Sequence, residues 1–327
     1  MKLATYRGEE GTDRLGLVIN NDSQILDVRA SQELENNAQE PSLFSLKALI
    51  EGGETALDLV RSLAGKAPES CIYGLDSVSL RSPIPEPPQI RDCLCFEEHL
   101  INAYNVLRKV KADAEPDPEA ALKEFEAKGL FRIPEVWYQV PLYYKGNRFS
   151  VIGDGEDIQW PPYSEMMDYE MEFGFFVGKG GTDIPKEKAR EHIFGYTIFN
   201  DVSARDTQTV EMPGGLGPSK SKDFDTGNVI GPWVVTADEL DPYNLDMIVR
   251  VNGEERSRGN SSSIHWTFED LIAHITKSET IHPGEFIASG TVGGGSGLEL
   301  LHYLEPGDVV ELEVEGIGIL KNKIVRA

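Results

Sequence analysis

The chain has 327 residues, 40% of them hydrophobic, enough to bury a sizeable core and to form one large domain plus a smaller one. Its 55 acidic residues outnumber 31 basic ones, and the formal charge of −24 repels phosphate backbones and anionic headgroups, which argues against nucleic-acid and membrane-surface partners. No apolar run approaches the about 18 residues that a membrane-spanning helix needs.

The start, MKLATYRGEE, lacks both the basic end and the apolar stretch of a secretory signal, so a cytosolic chain is expected. Cys71, Cys93 and Cys95 have no zinc-type spacing and read as reduced, buried thiols. LGLVIN and QILDV flank an NNDS turn and predict a hairpin. SLFSLKALIEGG and ETALDLVRSLAGK carry Leu and Ile at helical spacing with glycines at their ends. SPIPEPPQI, Ser82 to Ile90, then holds four prolines in nine residues, which places a domain boundary there, dividing 1–85 from 86–327.

RDCLCF alternates like a strand and EEHLINAYNVLRKV like a helix. Asp117, Pro118 and Gly129 carry start and stop signals for an acidic helix that reads as a surface insertion. From Trp137 onward short strands predominate, interrupted by helices near Pro185–Phe194 and Thr267–Lys277, the latter with Thr267 and Asp270 in capping-box positions.

The stretch DYEMEFGFFVG carries the chemistry. Glu170 and Glu172 share a strand face with Gly174, while Tyr169, Met171, Phe173 and Phe175 share the other. Buried carboxylates are costly unless paired or metal-bound, and oxygen donors without Cys or His favour Mg, Mn or Ca. Spacing alone does not decide the matter: Glu311, Glu313 and Glu315 alternate in the same way in VELEVEG, which reads as the wet face of an antiparallel strand. Further along, FGYTIFNDVSARDTQ puts Asp201 at a strand end, with Ser203 and Asp206 in position to cap a short helix.

Taken together, Glu-x-Glu, GYTIFNDVSARDTQ, KDFDTGNVIGPWVV and LEPGDVVELEVEGIGILKN resemble the fumarylacetoacetate hydrolase family over about residues 86 to 327. The resemblance implies an α+β, mainly β architecture: a small N-terminal α/β domain, then a mixed β-sandwich roll. It implies Mg2+ (or Mn2+ or Ca2+) held by Asp92, Glu170, Glu172 and Asp201. His99, seven residues after Asp92, matches the general base, Arg108 a substrate-side arginine, and Glu299 the carboxylate that orients the histidine. Lys222 and Thr226 match pocket residues, Tyr144, Gln208 and Thr291 match polar substrate contacts, and Lys222 and Arg108, with Gln208, are expected to act catalytically by stabilising the oxyanion and protonating or binding the leaving group. The sequence departs from the family at Leu94, where a tyrosine is expected, and in the acidic insertion.

The implied activity is carbon–carbon bond hydrolysis of a small anionic β-diketone or acylpyruvate-type 2-oxo acid through a metal-bound enolate, in a homodimer. Decarboxylation, isomerisation or sugar-acid hydrolysis at the same site, and a non-catalytic binding protein, are the alternatives. GGGSG at Gly293–Gly297 misses the nucleophile-elbow pattern by one position, and GKGGT lacks the spacing and lysine of a phosphate loop. His192, His265, His274, His282 and His302 have no ligand spacing and read as structural.

Overall fold

A computed structural model describes residues 1–8, 11–37 and 39–326. The chain opens with β1 (Lys2–Arg7), β2 (Asp13–Ile19) and β3 (Gln24–Asp27) as an antiparallel meander. The NNDS turn joins β2 to β3 as expected, with Asn20, Asn21 and Asp22 in the left-handed region that short polar side chains tolerate. Asp27 caps α1 (Val28–Asn36) through Ala30 N and also receives the Arg14 guanidinium. The two helical patterns form α2 (Leu46–Ala64), which Gly53 breaks with φ 61°. β4 (Ile72–Gly74) and β5 (Ser79–Arg81) follow.

The proline-rich crossing leads into β6 (Ile90–Cys93), α3 (Glu97–Asp113) and α4 (Pro118–Ala127), whose Asp117 cap accepts from Ala120 N. Next come β7 (Tyr143–Gly146), β8 (Val151–Ile152), β9 (Ile158–Gln159), β10 (Met167–Asp168), β11 (Met171–Val177), β12 (Ile193–Asp201) and β13 (Ser203–Ala204). The helix expected near Pro185 is a 3-10 segment, Lys186–His192. α5 (Arg205–Glu211), β14 (Asn228–Thr236), β15 (Asp246–Val251), β16 (Glu254–Asn260) and α6 (Phe268–Ile275) follow, α6 with the predicted Thr267–Asp270 capping box. β17 (Phe286–Ala288), α7 (Gly297–Leu300), β18 (Val309–Val314) and β19 (Gly318–Val325) complete the described chain.

Among the described residues the main sheet runs β4-β3-β2-β1-β14-β12-β11-β17-β6-β7, with β5 on β1 and β8 on β14. The N-terminal meander is hydrogen bonded into this sheet through the antiparallel β1–β14 pair. A second sheet, β16-β15-β18-β19-β9, contributes Val249, Leu312 and Val314 to one core with Met171, Phe173, Tyr196 and Ile198 of the main sheet. The opposite face of the main sheet buries Phe176, Phe199, Ile230 and Phe286 against Leu46, Leu49 and Val60 of α2. The fold is thus a mixed α+β arrangement with layered sheets. Alternation explains both cores, because successive strand residues point to opposite faces. As expected, β18 buries every second residue and leaves Glu311 and Glu313 partly exposed, paired with Lys321 and Arg250. The three cysteines are buried and free, and no helix among the described residues is long and apolar enough to cross a membrane.

Candidate active site

Three strands of the main sheet, β12, β11 and, beyond β17, β6, deliver the carboxylates of Asp201, Glu172 and Asp92. Met171 of β11 pairs with Asn200 of β12, and Asp201 N bonds to Glu170 O at 3.3 Å, so Glu170 lies opposite Asp201. Gly174, Ala288 and Asp92 stand in one row across β11, β17 and β6, and Tyr144 of β7 pairs with Asp92. Gly174 is bare for a packing reason: a Cβ there would meet the Ile287 carbonyl oxygen at 2.5 Å and Ala288 Cα at 2.9 Å.

Asp92, Glu172 and Asp201 each offer an oxygen within 4.8 Å of the others, all buried. Among the described residues, Asp92 Oδ1 and Asp201 Oδ1 have no hydrogen-bond partner. The outer bonds fix the cluster: Glu172 accepts from Gly290 N at 3.0 Å and Thr291 Oγ1 at 3.2 Å, and Asp201 accepts from Tyr144 OH at 2.7 Å. Burial, then neighbouring carboxylate charge, pushes the Asp92 and Glu172 carboxyls well above their usual range. Burial also raises Asp201, although Lys222 opposes it.

Glu170 turns the other way. It faces the Arg205 guanidinium at 2.8 Å and the Lys222 ammonium at 2.5 Å, and Lys222 also reaches Asp201. Burial alone would raise Glu170, but Arg205 and Lys222 outweigh it and hold the carboxyl well below its usual range. Burial likewise opposes the charge on Lys222, yet Asp201 and Glu170 prevail and keep it protonated. Lys222 is presented by a segment tied down at Ser219, Lys220 and Ser221, whose N–H groups all donate to Glu211.

Five buried carboxylates, Asp92, Asp168, Glu170, Glu172 and Asp201, therefore face two buried cations, Lys222 and Arg205. Such an excess is costly in a low-dielectric interior unless protons or a metal ion balance it. The orphaned oxygens on Asp92 and Asp201 and the all-oxygen donor set fit a hard divalent cation.

Beside this cluster, His99 of α3 points Nδ1 at Glu299 Oε1 of α7, 2.7 Å away. Glu299 also accepts from Asn102 Nδ2, Gly294 N and Ser296 Oγ. Ser296 in turn forms an isolated bridge with Glu170, which joins the dyad to the carboxylate strand.

The remaining expected residues lie further out. Gln208 accepts from Arg205 Nη1 at 2.9 Å, one contact from Glu170. Thr226 accepts from Gln159 N at 2.8 Å. Arg108 donates to Phe131 O at 3.0 Å and faces Glu126, so it is held by the acidic insertion. Ser203 and Asp206 do not cap α5 together: Ser203 lies in β13 and donates to Asp201 O, while the N-cap is Ala204 and Asp206 receives Ser164 and Glu165 instead. The strand pairing of β13 with β10 prevails over the local capping preference.

Sequence reasoning missed Asp168, Arg205, Asn102 and Ser296. Asp168 had a signal, because it precedes Glu170 by two residues and so extends the acidic face of the strand by one position. Arg205 sits in the quoted SARD string without being assigned a role. A wide crevice of about 1550 Å³ lies away from this chemistry, against Trp233, Arg81, Asp154 and Glu313, and none of the site residues line it.

Residues 106–325 match the family model described as fumarylacetoacetate (FAA) hydrolase C-terminal. The chain belongs to the fumarylacetoacetate hydrolase family. Asp92 and His99 precede the matched stretch; the fold brings them to it through the β6–β17 pair and α3. Among relatives of this family member, an uncharacterised Staphylococcus haemolyticus protein is 39% identical over 179 residues, 54% of this chain and 56% of its own length. The chain thus spans about half of that relative. The mitochondrial oxaloacetate tautomerase fahd2 of Xenopus laevis is 29% identical over 99% of this chain and 90% of its own length. The maleylpyruvate hydrolase of Sphingobium sp. SYK-6, solved in complex with manganese(II) and pyruvate, shares the fold at TM-score 0.70 over the full length of both chains, with 22% identity.

Proposed function

We propose that this family member is a metal-dependent hydrolase that cleaves a carbon–carbon bond in a small β-diketone or acylpyruvate-type 2-oxo acid. The observation that carries this reading is the juxtaposition of two devices: a buried carboxylate trio with orphaned oxygens, and a histidine whose Nδ1 is committed to Glu299. Asp92, Glu172 and Asp201, with Glu170 beside them, would hold a divalent cation, Mg2+, Mn2+ or Ca2+, which when bound would supply Lewis-acid chemistry to a chelating 2-oxo acid.

The chain's own residues do the rest. The Glu299 carboxylate can only accept, so His99 carries its hydrogen on Nδ1 and presents Nε2 as a base. Nε2 takes a proton from water, whose oxygen adds to the distal carbonyl carbon. The carbon–carbon bond breaks, its electron pair leaves with the 2-oxo acid fragment, and a proton returned to that carbon completes two acids. In this reading Lys222, with Arg108 and Gln208, stabilises developing oxygen charge and binds the leaving group. Arg108, Gln208, Tyr144, Thr226 and Thr291 serve as substrate contacts in this reading, and Arg108 exchanges its bond to Phe131 O on binding. Because five buried carboxylates outnumber Lys222 and Arg205, an anionic substrate would need the bound divalent cation together with these two side chains to offset the local and global negative charge. The working form is a cytosolic homodimer whose catalytic unit is residues 86–327; light scattering tests the assembly.

A second reading has a specific observation behind it, the near full-length relative named as an oxaloacetate tautomerase. There the same base would move a proton between carbon and the 2-oxygen without adding water. A turnover screen separates the two. Purified protein with Mg2+ or Mn2+ is presented with acylpyruvates, fumarylacetoacetate-like diketones, oxaloacetate and dehydrated sugar acids, with products identified by mass. Two acids from a diketone support hydrolysis, unchanged mass supports tautomerisation or isomerisation, and carbon dioxide marks decarboxylation. Binding without turnover of any member overturns the enzymatic reading.

A further inference from the structure

Resting on the reading of His99 and Glu299 as the base, we propose that Asp168 is a positioning residue for that dyad. Asp168 is fully buried on β10, and among the described residues its carboxylate makes no hydrogen bond to His99 or to the carboxylate trio. Its carboxylate accepts Gly297 N at Oδ1 and Leu298 N at Oδ2, both at 2.8 Å. These are the first two residues of α7, and the next is Glu299.

α7 has only four residues. So short a helix cannot hold its own direction, because nucleation is unfavourable and the first N–H groups of a helix have no internal partner. What receives those N–H groups therefore sets where Glu299 points. Asp168 is itself fixed by Arg205, whose Nε and Nη2 reach Oδ2 at 2.8 and 2.7 Å. The same Nη2 lies 2.8 Å from Glu170 Oε1. Through the hydrogen bond from Arg205 Nε and the ion pairs of Nη2, Arg205 and Asp168 thus link the Glu170 side of the site to the segment that carries Glu299. A base displaced by about 1 Å loses on the order of a hundredfold in rate.

The test uses the full-length, metal-loaded protein. Two variants separate the two roles of the carboxylate. Asp168→Asn removes its charge. Gly297→Ala leaves the charge for Arg205 but drives a Cβ into Asp168 Oδ1 and the His302 carbonyl. The first readout is the NMR resonance of the Nδ1 proton that His99 shares with Glu299, assigned as the signal lost in both His99→Asn and Glu299→Gln. The expectation is that this signal shifts or exchanges away in either variant while the other histidine signals stay in place. The second is a kinetic split on whichever substrate the protein turns over: kcat down about a hundredfold, with KM and metal affinity within twofold of the parent.

An unchanged His99 signal with parental kcat in a folded Asp168→Asn or Gly297→Ala protein overturns the proposal. So does a fall in metal affinity equal to the fall in kcat, which would mark Asp168 as support for the whole site. The NMR readout needs no substrate, so a failed substrate screen would count against the hydrolase reading and leave the test of Asp168 intact.

Discussion

His99 Nδ1 lies 2.7 Å from Glu299 Oε1, and Asn102, one turn further along α3, donates to Oε2 of the same carboxylate at 2.9 Å. Two residues of one helix therefore grip a carboxylate that belongs to another element 200 positions later in the chain. In the proposed role, a hydrogen on Nδ1 shared with Glu299 fixes one imidazole tautomer and turns Nε2 to proton transfer.

Replacing the base should cost rate without costing metal. We expect His99→Asn to lower kcat by about 10²–10⁴-fold, the usual range for a general base, with Glu299→Gln closer to the lower end. Metal affinity, measured by calorimetry, should be unchanged in both. Since the two residues act as one unit, the double variant should be no slower than His99→Asn alone.

Cation binding should be carried by the trio. Glu172→Gln is expected to abolish tight binding of Mg2+ or Mn2+, and a chelator should remove activity from the parent protein. Because a ligand stabilises the state it binds, cation at a hundred times its Kd should add about 2.7 kcal/mol to the parent's stability and nothing to Glu172→Gln. Urea unfolding with and without cation measures this difference.

The metal-free protein should also show a distinctive pH dependence. Burial raises the Asp92, Glu172 and Asp201 carboxyls, with neighbouring charge adding to the first two. The folded state then binds more protons than the unfolded chain once pH exceeds the ordinary carboxylate values of about 4, so stability falls as pH rises. Glu170 has the opposite sign: burial raises it, but Arg205 and Lys222 hold it down. Its contribution is complete above its unfolded value of about 4.3 and flat beyond that. Unfolding free energies in chelator should decline between pH 5 and pH 8, and saturating cation should flatten or reverse the slope. A metal-free stability that rises across that window would contradict the charge balance described for the site.

Gly174 should tolerate no side chain. A Cβ would press on the β17 backbone at Ile287 and Ala288, and overpacking of this kind costs about 1–3 kcal/mol. Gly174→Ala is expected to lower the unfolding free energy measured in urea by that amount, and to weaken cation binding because Asp92 stands in the same row.

Much of this architecture was legible in the sequence because it rests on local rules. The NNDS hairpin, the Gly53 break in α2, the Thr267 cap and the alternation in β18 follow from turn chemistry and strand periodicity. The acidic strand was legible too, yet its first member was not. Asp168 shares the two-residue period of Glu170 and Glu172, but its partners, Arg205 and the N–H groups of Gly297 and Leu298, lie 37 and about 130 positions away. Such contacts are set by tertiary packing and leave no mark on local pattern. The failed cap at Ser203 has the same cause, since pairing of β13 with β10 claims that residue. Arg108 shows the reverse case: a motif position matches, while the acidic insertion, through Phe131 and Glu126, decides where the guanidinium rests.

The most direct test of the central claim is the turnover of an acylpyruvate by metal-free protein, before and after addition of Mn2+ or Mg2+, with products identified by mass. The account predicts two acids that form only when cation is present, and none from Glu172→Gln under the same conditions. Turnover that is undiminished in excess chelator, or a product of unchanged mass, would contradict it.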